Sequence, residues 1–203
     1  MSWERGFAHR EALLAAAIEE FAARGYAKAS LNRILAAAGM SKGQFYHHFA
    51  GKEALYFGII ELMIGRKRAF FAGLGAQRPA GGFFEALRAQ LHLGLAFARE
   101  DPQMERFARS FLGERGRPIY QAVMARYDFA RHDPLQQLVA AAMARGELTE
   151  ALSPALVGRA VSALMNAASE LIDAGSLEDF EAGLDEFMLL LRRAIGREEE
   201  RLA

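Results

Sequence analysis

The stretch "AAGMSKGQFYHHFAGKE", from Ala37 to Glu53, decides how the rest of the chain is interpreted. Gly39 accepts a left-handed backbone, and Ser41 is a preferred residue at the start of a helix. One helix is therefore expected to end at the glycine and another to begin after the serine. The link is too short for two antiparallel neighbours, so it predicts a steep crossing of the helix-turn-helix kind.

A helical wheel of the second helix separates two faces. Phe45 and Phe49 lie roughly 40° apart and form the inner face. Gly43 and His47 fall roughly 160° and 200° from Phe45, on the opposite side. The pattern predicts a buried aromatic face and an exposed face that is free to contact another molecule.

The two adjacent histidines do not indicate a metal site. His47 and His48 diverge by about 100°, so they cannot chelate one ion together. An exposed histidine without an orienting carboxylate is a poor general base. The chain has no cysteine, which excludes disulfides and thiolate ligands. A surface that reads another molecule fits best, and we expect no metal, no cofactor and no enzymatic activity.

Two residues of this surface stay ambiguous. Gly43 lets the backbone approach a partner closely, or it lies in the first helical turn where its cost of about 1 kcal/mol is reduced. Gln44 either completes a capping box with Ser41 or contacts base edges. Tyr46 and Lys52 flank the exposed face and are expected to anchor phosphates, with the helix that begins at Lys52 offering its free N–H groups.

The charge distribution favours a polyanionic partner. The whole chain is neutral, but Met1–Phe70 has ten basic and six acidic residues, a net charge of +4 that leaves −4 for the remainder. Chance fluctuation remains an alternative. Apolar runs stay short of the roughly 20 residues of a membrane span, and the N-terminus lacks the apolar core of a signal peptide. We expect a cytoplasmic protein without a membrane partner.

Caps and glycines divide the rest of the chain into helices, and no alternating run predicts a strand. The predicted caps are Ser30, Ser41, Asp101, Asp133, Ser153 and Ser176, and the predicted stops are Gly25, Gly39, Gly146, Gly175 and Gly196. The fold class is all-α, with helices at 9–24, 31–38, 42–48, 52–74, 83–99, 102–113, 117–132, 134–145, 154–174 and 177–195. The most flexible interior loop is expected at 77–82.

The stretch Arg10–Leu55 resembles the DNA-binding domain of the TetR family of bacterial transcriptional regulators. The landmarks that carry the resemblance are Phe21, Gly25, Tyr26, Ser30, Ile34, Ala38-Gly39-Met40-Ser41, Lys42-Gly43, Tyr46, His48, Phe49 and Lys52-Glu53. Met40 stands where valine is usual, and Phe45 where leucine is usual. Such a long ordered match is very improbable by chance.

The resemblance implies a three-helix DNA-binding domain over 1–52 and a larger helical domain over 53–203 for ligand sensing and dimerisation. The implied phosphate contacts are Ser30, Tyr46, His48 and Lys52. The implied groove contacts are Lys42, Gly43, Gln44 and His47, and Arg33 serves either purpose. The implied DNA-binding residues are Ser30, Arg33, Ser41, Lys42, Gly43, Gln44, Tyr46, His47, His48 and Lys52.

Apolar stripes on the last two helices, at offsets of three and four, suit half of a four-helix dimer interface, although an intrachain core gives the same pattern. The dimer residues expected are Val157, Ala160, Val161, Leu164, Ala168, Phe180, Leu184, Phe187 and Leu191. Aromatic and methionine side chains of the middle helices suit an apolar or amphipathic ligand, although plain core is again the alternative. The ligand residues expected are Phe84, Leu91, Met104, Phe107, Phe111, Tyr120, Met124, Tyr127 and Met165.

The function implied by the resemblance is a ligand-responsive homodimeric repressor of a palindromic double-stranded DNA operator. One alternative is an architectural or division-linked DNA-binding protein without an inducer. A second alternative is an all-α enzyme whose N-terminal three-helix domain is vestigial. The absence of a nucleophile constellation disfavours that enzyme, although His92 and His132 leave it open.

Overall fold

The computed structural model describes Trp3 and residues 6–73, 81–127, 134–172 and 177–197. These residues form ten α-helices and, besides one isolated β-bridge, no β-structure, so the all-α fold class is confirmed. The helices are α1 Arg10–Lys28, α2 Leu31–Ala37, α3 Lys42–His48, α4 Lys52–Gly73, α5 Phe83–Glu100, α6 Pro102–Gly113, α7 Pro118–Tyr127, α8 Pro134–Ala144, α9 Pro154–Leu171 and α10 Leu177–Ile195.

Polar caps start several helices where they are predicted. The side-chain oxygens of Ser30, Asp101 and Ser153 each accept a hydrogen bond from the backbone N–H three residues on. These bonds satisfy donors that a helix start leaves open. Gly39 and Gly146 have the predicted left-handed backbone, with φ of 63° and 68°. The predicted features outside the described residues are Asp133, Gly175, Ser176 and the 77–80 part of the predicted loop.

One predicted helix end is wrong, and a second predicted stop ends its helix as expected but without the expected backbone conformation. Gly25 does leave the helical conformation, with φ 68° and ψ 166°, but helical bonding resumes at once and α1 continues to Lys28. Gly196 does not have the predicted left-handed backbone. It pairs with Leu148 in the β-bridge, next to a 2.8 Å hydrogen bond from the N–H of Thr149 to the carbonyl of Ile195.

Packing divides the chain into two compact units, of which the first comprises Met1–Ala76 and Leu95–Asp128. Its core joins α1, α4 and α6 through three buried aromatic rings. Ring centroids lie 4.9 Å apart between Phe21 and Tyr56, and 5.2 Å apart between Tyr56 and Phe107. Helix α1 thus shares a core with α4 and α6. The expected boundary between a DNA-binding domain over 1–52 and a domain for ligand sensing and dimerisation over 53–203 stays a prediction.

The second unit comprises Gln77–Gly94 and Phe129–Ala203. Glu147, in the turn after α8, accepts a hydrogen bond of 2.7 Å from the backbone N–H of Phe83 and so holds the start of α5. Within this unit α9 packs against both α8 and α10. Across the described residues, no helix combines the length and apolar composition needed to span a bilayer.

Candidate nucleic-acid interface

The turn between α2 and α3 is anchored in the core. Gly39 turns the chain, and the N–H of Met40 donates to the carbonyl of Leu35 at 3.0 Å. Ala38 and Met40 are both buried, so methionine fills the position where the family has valine. The buried turn fixes the direction in which α3 leaves α2.

A capping box starts α3. The N–H of Gln44 donates to Ser41 Oγ at 3.2 Å, and the N–H of Ser41 donates to Gln44 Oε1 at 2.9 Å. Gln44 is nevertheless exposed. Capping and a contact to a base edge therefore compete for the same amide oxygen.

The two faces of α3 follow the predicted wheel. Phe45 and Phe49 are buried, with exposed fractions of 0% and 2%. The opposite face borders a shallow concavity of about 410 Å³, lined by Ala8, Met40, Gly43, Gln44, His47 and His48. The exposed residues of α3 and its cap are Ser41, Lys42, Gly43, Gln44, Tyr46 and His47.

Packing within the chain does not require glycine at position 43. A Cβ placed on Gly43 meets its nearest described neighbour, Ser41 Oγ, at 4.0 Å, an ordinary contact. Its backbone also lies outside the left-handed region. A residue that the fold does not require is then available for close approach to an external partner.

Lys52, expected to anchor a phosphate, is engaged within the chain. Its ammonium donates to the carbonyls of Tyr26 at 2.7 Å, Ala29 at 3.0 Å and Ala27 at 3.3 Å. It also lies 4.6 Å from the centroid of the Tyr26 ring. A helix end leaves such carbonyls without partners and favours a cation there. Lys52 therefore stabilises the end of α1, and a phosphate contact requires it to exchange a partner.

Ser30 and Arg33 are tied to a carboxylate on α1. Glu20 accepts hydrogen bonds from the N–H of Ser30 at 2.8 Å and from Nε of Arg33 at 2.9 Å. The bonded Arg33 guanidinium is the main cause of a lowered pKa for Glu20, and Glu20 in turn raises the pKa of Arg33. These bonds hold α2 against α1, and the DNA contacts of both residues stay predictions.

His48 lies at the shoulder of α3 and is half-buried. It stacks on Phe7, with ring centroids 4.2 Å apart and an angle of 20° between the planes. Trp3 meets Phe49 edge-on at 5.2 Å. Neither N-terminal aromatic residue is among the site residues expected from the sequence. The sequence feature that could have indicated them is the single tryptophan of the chain, Trp3, followed four residues later by Phe7.

The residues expected at a dimer interface lie mostly inside the chain. Ala160 and Leu164 are half-buried. Seven others are fully buried, namely Val157, Val161, Ala168, Phe180, Leu184, Phe187 and Leu191. The seven side chains pack in the core of the second unit, and a role for them in a dimer interface stays a prediction. Four large apolar side chains of α9 and α10 are exposed instead, Leu156, Leu171, Leu189 and Leu190.

The expected ligand residues divide between the two units. In the first unit, Met104 and Phe107 are fully buried, and Phe111 stacks on Tyr120 with centroids 4.9 Å apart. Tyr127 donates a hydrogen bond of 2.9 Å to Glu61, while Met124 is half-buried.

In the second unit, Phe84 lines a cavity of about 290 Å³, while Leu91 and Met165 are half-buried. That cavity lies between α5 and α10, where Arg88 pairs with Glu181 and Asp185. Within the described chain, no cluster of three metal-ligating side chains occurs. The ligand set stays a prediction.

The fold and the exposed α3 define a helix-turn-helix protein. Residues 13–59 match the family model of the bacterial regulatory proteins of the tetR family. The regulator RutR of Escherichia coli is 30% identical over 99 residues, 49% of this chain and 45% of RutR. The chain thus spans less than half the length of the curated relatives found.

Solved structures match over most of the chain. A TetR family transcriptional regulator from Chloroflexus aurantiacus is 25% identical with a TM-score of 0.72, and the match covers 94% of each chain. AibR, solved in complex with isovaleryl coenzyme A and operator DNA, is 23% identical with a TM-score of 0.64, covering 89% of this chain and 96% of AibR. The second likeness shows the fold alone.

Proposed function

We propose that this chain is a DNA-binding transcriptional regulator and not an enzyme. It acts as a repressor in the bacterial cytoplasm, binds a palindromic operator as a homodimer, and is released by an apolar or amphipathic small molecule. The observation that carries the proposal is α3, whose aromatic side is buried while its opposite side is exposed and lacks a side chain at Gly43.

In this proposal α3 enters the major groove. Lys42, Gln44 and His47 face the base edges, where charged and amide side chains discriminate between bases. Tyr46, with 56% of its surface exposed, contacts the phosphate backbone. Two copies of α3, one from each subunit, enter successive major grooves about 34 Å apart.

Selection of duplexes from a random DNA pool tests the DNA-binding proposal. We expect enrichment of a palindrome by the wild type. Gly43→Leu is the matched variant, because a Cβ at this exposed position meets Ser41 Oγ only at 4.0 Å, whereas a leucine side chain blocks close approach to a groove floor. It should keep the melting temperature and bind the selected operator at least about tenfold more weakly, a loss of about 1.4 kcal/mol. No enrichment, or wild-type affinity of Gly43→Leu, argues against the proposal.

Pairing of subunits is proposed through the exposed leucines of α9 and α10. Leu156, Leu171, Leu189 and Leu190 are each 44% to 56% exposed, which is unusual for four large apolar side chains on consecutive helices. Burial of these side chains between two copies gives the four-helix arrangement expected from the family.

Sedimentation of Leu190→Asp tests this pairing surface. A dimeric wild type and a monomeric variant are expected, because an aspartate in an apolar interface loses its hydration. Ala96→Asp, at an exposed position of α5 in the first unit, is the control and should remain dimeric. A monomeric wild type refutes the homodimer, while a dimeric Leu190→Asp places the interface elsewhere.

Ligand release is proposed to act through α6, which packs against α1. Ser110 Oγ donates to the carbonyl of Phe21 at 2.9 Å, and Arg106 pairs with Glu19 at 2.7 Å. A shift of α6 therefore displaces α1, and with it α2 through the Glu20 bonds. AibR, with its acyl coenzyme A and operator, supports a ligand of amphipathic character.

Titration of the selected operator in the presence of apolar and amphipathic compounds tests this response. A compound that binds should weaken operator affinity about five- to 150-fold, the range of a coupling of about 1 to 3 kcal/mol. Compounds that raise the melting temperature but leave operator affinity unchanged would argue for the alternative, a DNA binder without an inducer.

A further inference from the structure

The recognition helix α3 is short, and its two ends are held differently. It has seven residues, well below the roughly 12 to 15 that an isolated helix needs, so contacts from elsewhere must hold it. The capping box fixes its N-terminal end, and Phe45 fixes its inner face. The last residue, His48, and the following Phe49 contact the segment that precedes α1.

This N-terminal segment contributes two aromatic rings to that end. Phe7 stacks on His48 at 4.2 Å, and Trp3 meets Phe49 edge-on at 5.2 Å. Trp3 is 7% exposed. Its carbonyl accepts a hydrogen bond of 3.2 Å from Nε of Arg10, which ties the segment to the first turn of α1.

A glycine of α4 makes room for the indole. A Cβ placed on Gly58 would lie 2.6 Å from Trp3 Nε1, 3.0 Å from Trp3 Cδ1 and 3.3 Å from a ring carbon of Phe49. Gly58 has an ordinary helical position, where alanine is the better helix former. The space left by the missing side chain of Gly58, the Gly58 notch, therefore accommodates the indole of Trp3 behind α3.

We infer that Trp3 and Phe7 are positioning residues for DNA recognition, with Trp3 seated in the Gly58 notch and Phe7 holding the ring of His48. The segment fixes the C-terminal end of α3, so that the exposed face is presented to DNA in one orientation. This inference rests on the proposed function. It adds a set of residues that touch neither bases nor phosphates.

Gly58→Ala tests the inference in the full chain. The added methyl displaces the indole, and because Trp3 is the single tryptophan, intrinsic fluorescence reports on it directly. We expect the emission maximum to move to longer wavelength and acrylamide quenching to increase. Affinity for the selected operator should fall about five- to tenfold on all sequences alike, with the order of base preferences unchanged.

Gly65→Ala is the matched control on the same helix. A Cβ at Gly65 meets no described atom within 4 Å, so the control gains the same helix propensity without touching Trp3. It should change neither emission nor operator affinity. Combining Gly58→Ala with Trp3→Phe, whose smaller ring fits the reduced notch, should restore most of the affinity.

The possible outcomes separate the two proposals. Unchanged emission in Gly58→Ala overturns the seating of Trp3. Shifted emission with wild-type operator affinity overturns the positioning role. A wild type that binds no duplex refutes the proposed function together with the positioning role, and the emission shift then still decides whether Trp3 is seated.

Discussion

The carboxylate of Glu114 accepts a hydrogen bond of 2.7 Å from the backbone N–H of Tyr26, across 88 positions of the sequence. Glu114 is only 2% exposed and also pairs with Arg117 at 3.0 Å. Gly25 makes this contact possible. Its φ is 68°, and a Cβ there would come within 2.6 Å of the carboxylate. The kink at Gly25 in α1 therefore leaves the space in which the carboxylate of Glu114, at the end of α6, reaches the backbone of α1.

Loss of this contact should destabilise the first unit. Glu114→Ala leaves the N–H of Tyr26 without its acceptor and is expected to lower the free energy of unfolding by about 1 to 3 kcal/mol. Glu114→Gln keeps an acceptor oxygen and should lose less. Arg117→Ala removes the more exposed partner and should cost less than about 1 kcal/mol. Urea unfolding measures all three, and equal losses for the alanine variants would contradict the assignment.

Lys52 is expected to act on stability more than on phosphate binding. Lys52→Met keeps the aliphatic stem but removes the ammonium from three carbonyls, which should lower the free energy of unfolding by about 1 to 2 kcal/mol. The salt dependence of operator binding should stay near the wild-type slope.

Lys42→Met is the comparison for Lys52→Met. Lys42 is exposed on α3, so its loss should leave stability unchanged while the salt slope of operator binding falls by about one. Fluorescence anisotropy at several salt concentrations gives the slopes. A reduced slope for Lys52→Met without loss of stability would make Lys52 a phosphate contact and not a helix cap.

A substitution at Gln44 can separate its role in capping α3 from a contact to a base edge. Glutamate also completes a capping box with Ser41, so Gln44→Glu should keep the free energy of unfolding within about 0.5 kcal/mol. Its preferred base should change, because glutamine suits adenine whereas glutamate accepts from cytosine. Selection from a random pool measures the change. If Gln44→Glu selects the wild-type operator, Gln44 caps α3 without reading a base.

The pair of Glu20 and Arg33 predicts a pH dependence of stability. The pKa of Glu20 is lowered in the folded chain, mainly by the bonded Arg33. A lowered folded pKa stabilises the fold above the ordinary carboxyl pKa of 4.5, and this stabilisation is lost as the pH falls through the lower folded value.

Glu20→Gln should therefore flatten the loss of stability on acidification below about pH 5. Urea unfolding across that range measures the effect. Arg33→Met should flatten the same part of the curve, and the double variant should add little to either single change. Additive effects in the double variant would show that the two side chains act independently.

The local features of α3 could be predicted from the sequence, because they depend on residues that are neighbours in the chain. The Ser41 cap, the left-handed Gly39 and the buried Phe45 follow from residue type and helical period. Lys52 could not be placed in the same way. Its position beside the recognition helix suggests a phosphate, whereas its actual partners are carbonyls about 25 positions earlier.

The long-range contacts had no local signal. Nothing near Glu114 indicates that it contacts Tyr26, and nothing near Gly58 indicates that it accommodates Trp3. For α10, periodicity identified Leu184 and Leu191 as apolar positions facing another helix. It could not tell a partner subunit from the chain's own core, and the exposed Leu189 and Leu190 lie off that stripe.

Recognition of DNA by the exposed face of α3 is tested most directly by comparing His47→Ala and Tyr46→Ala on a library of single-base variants of the selected operator. We expect His47→Ala to relax the base preference at one position of each half-site, by about 1 to 3 kcal/mol, and to leave the other positions unchanged. Tyr46→Ala should weaken binding to every variant alike. If His47→Ala keeps the full wild-type preference, or Tyr46→Ala changes which base is preferred, the exposed face of α3 does not read DNA in the way proposed.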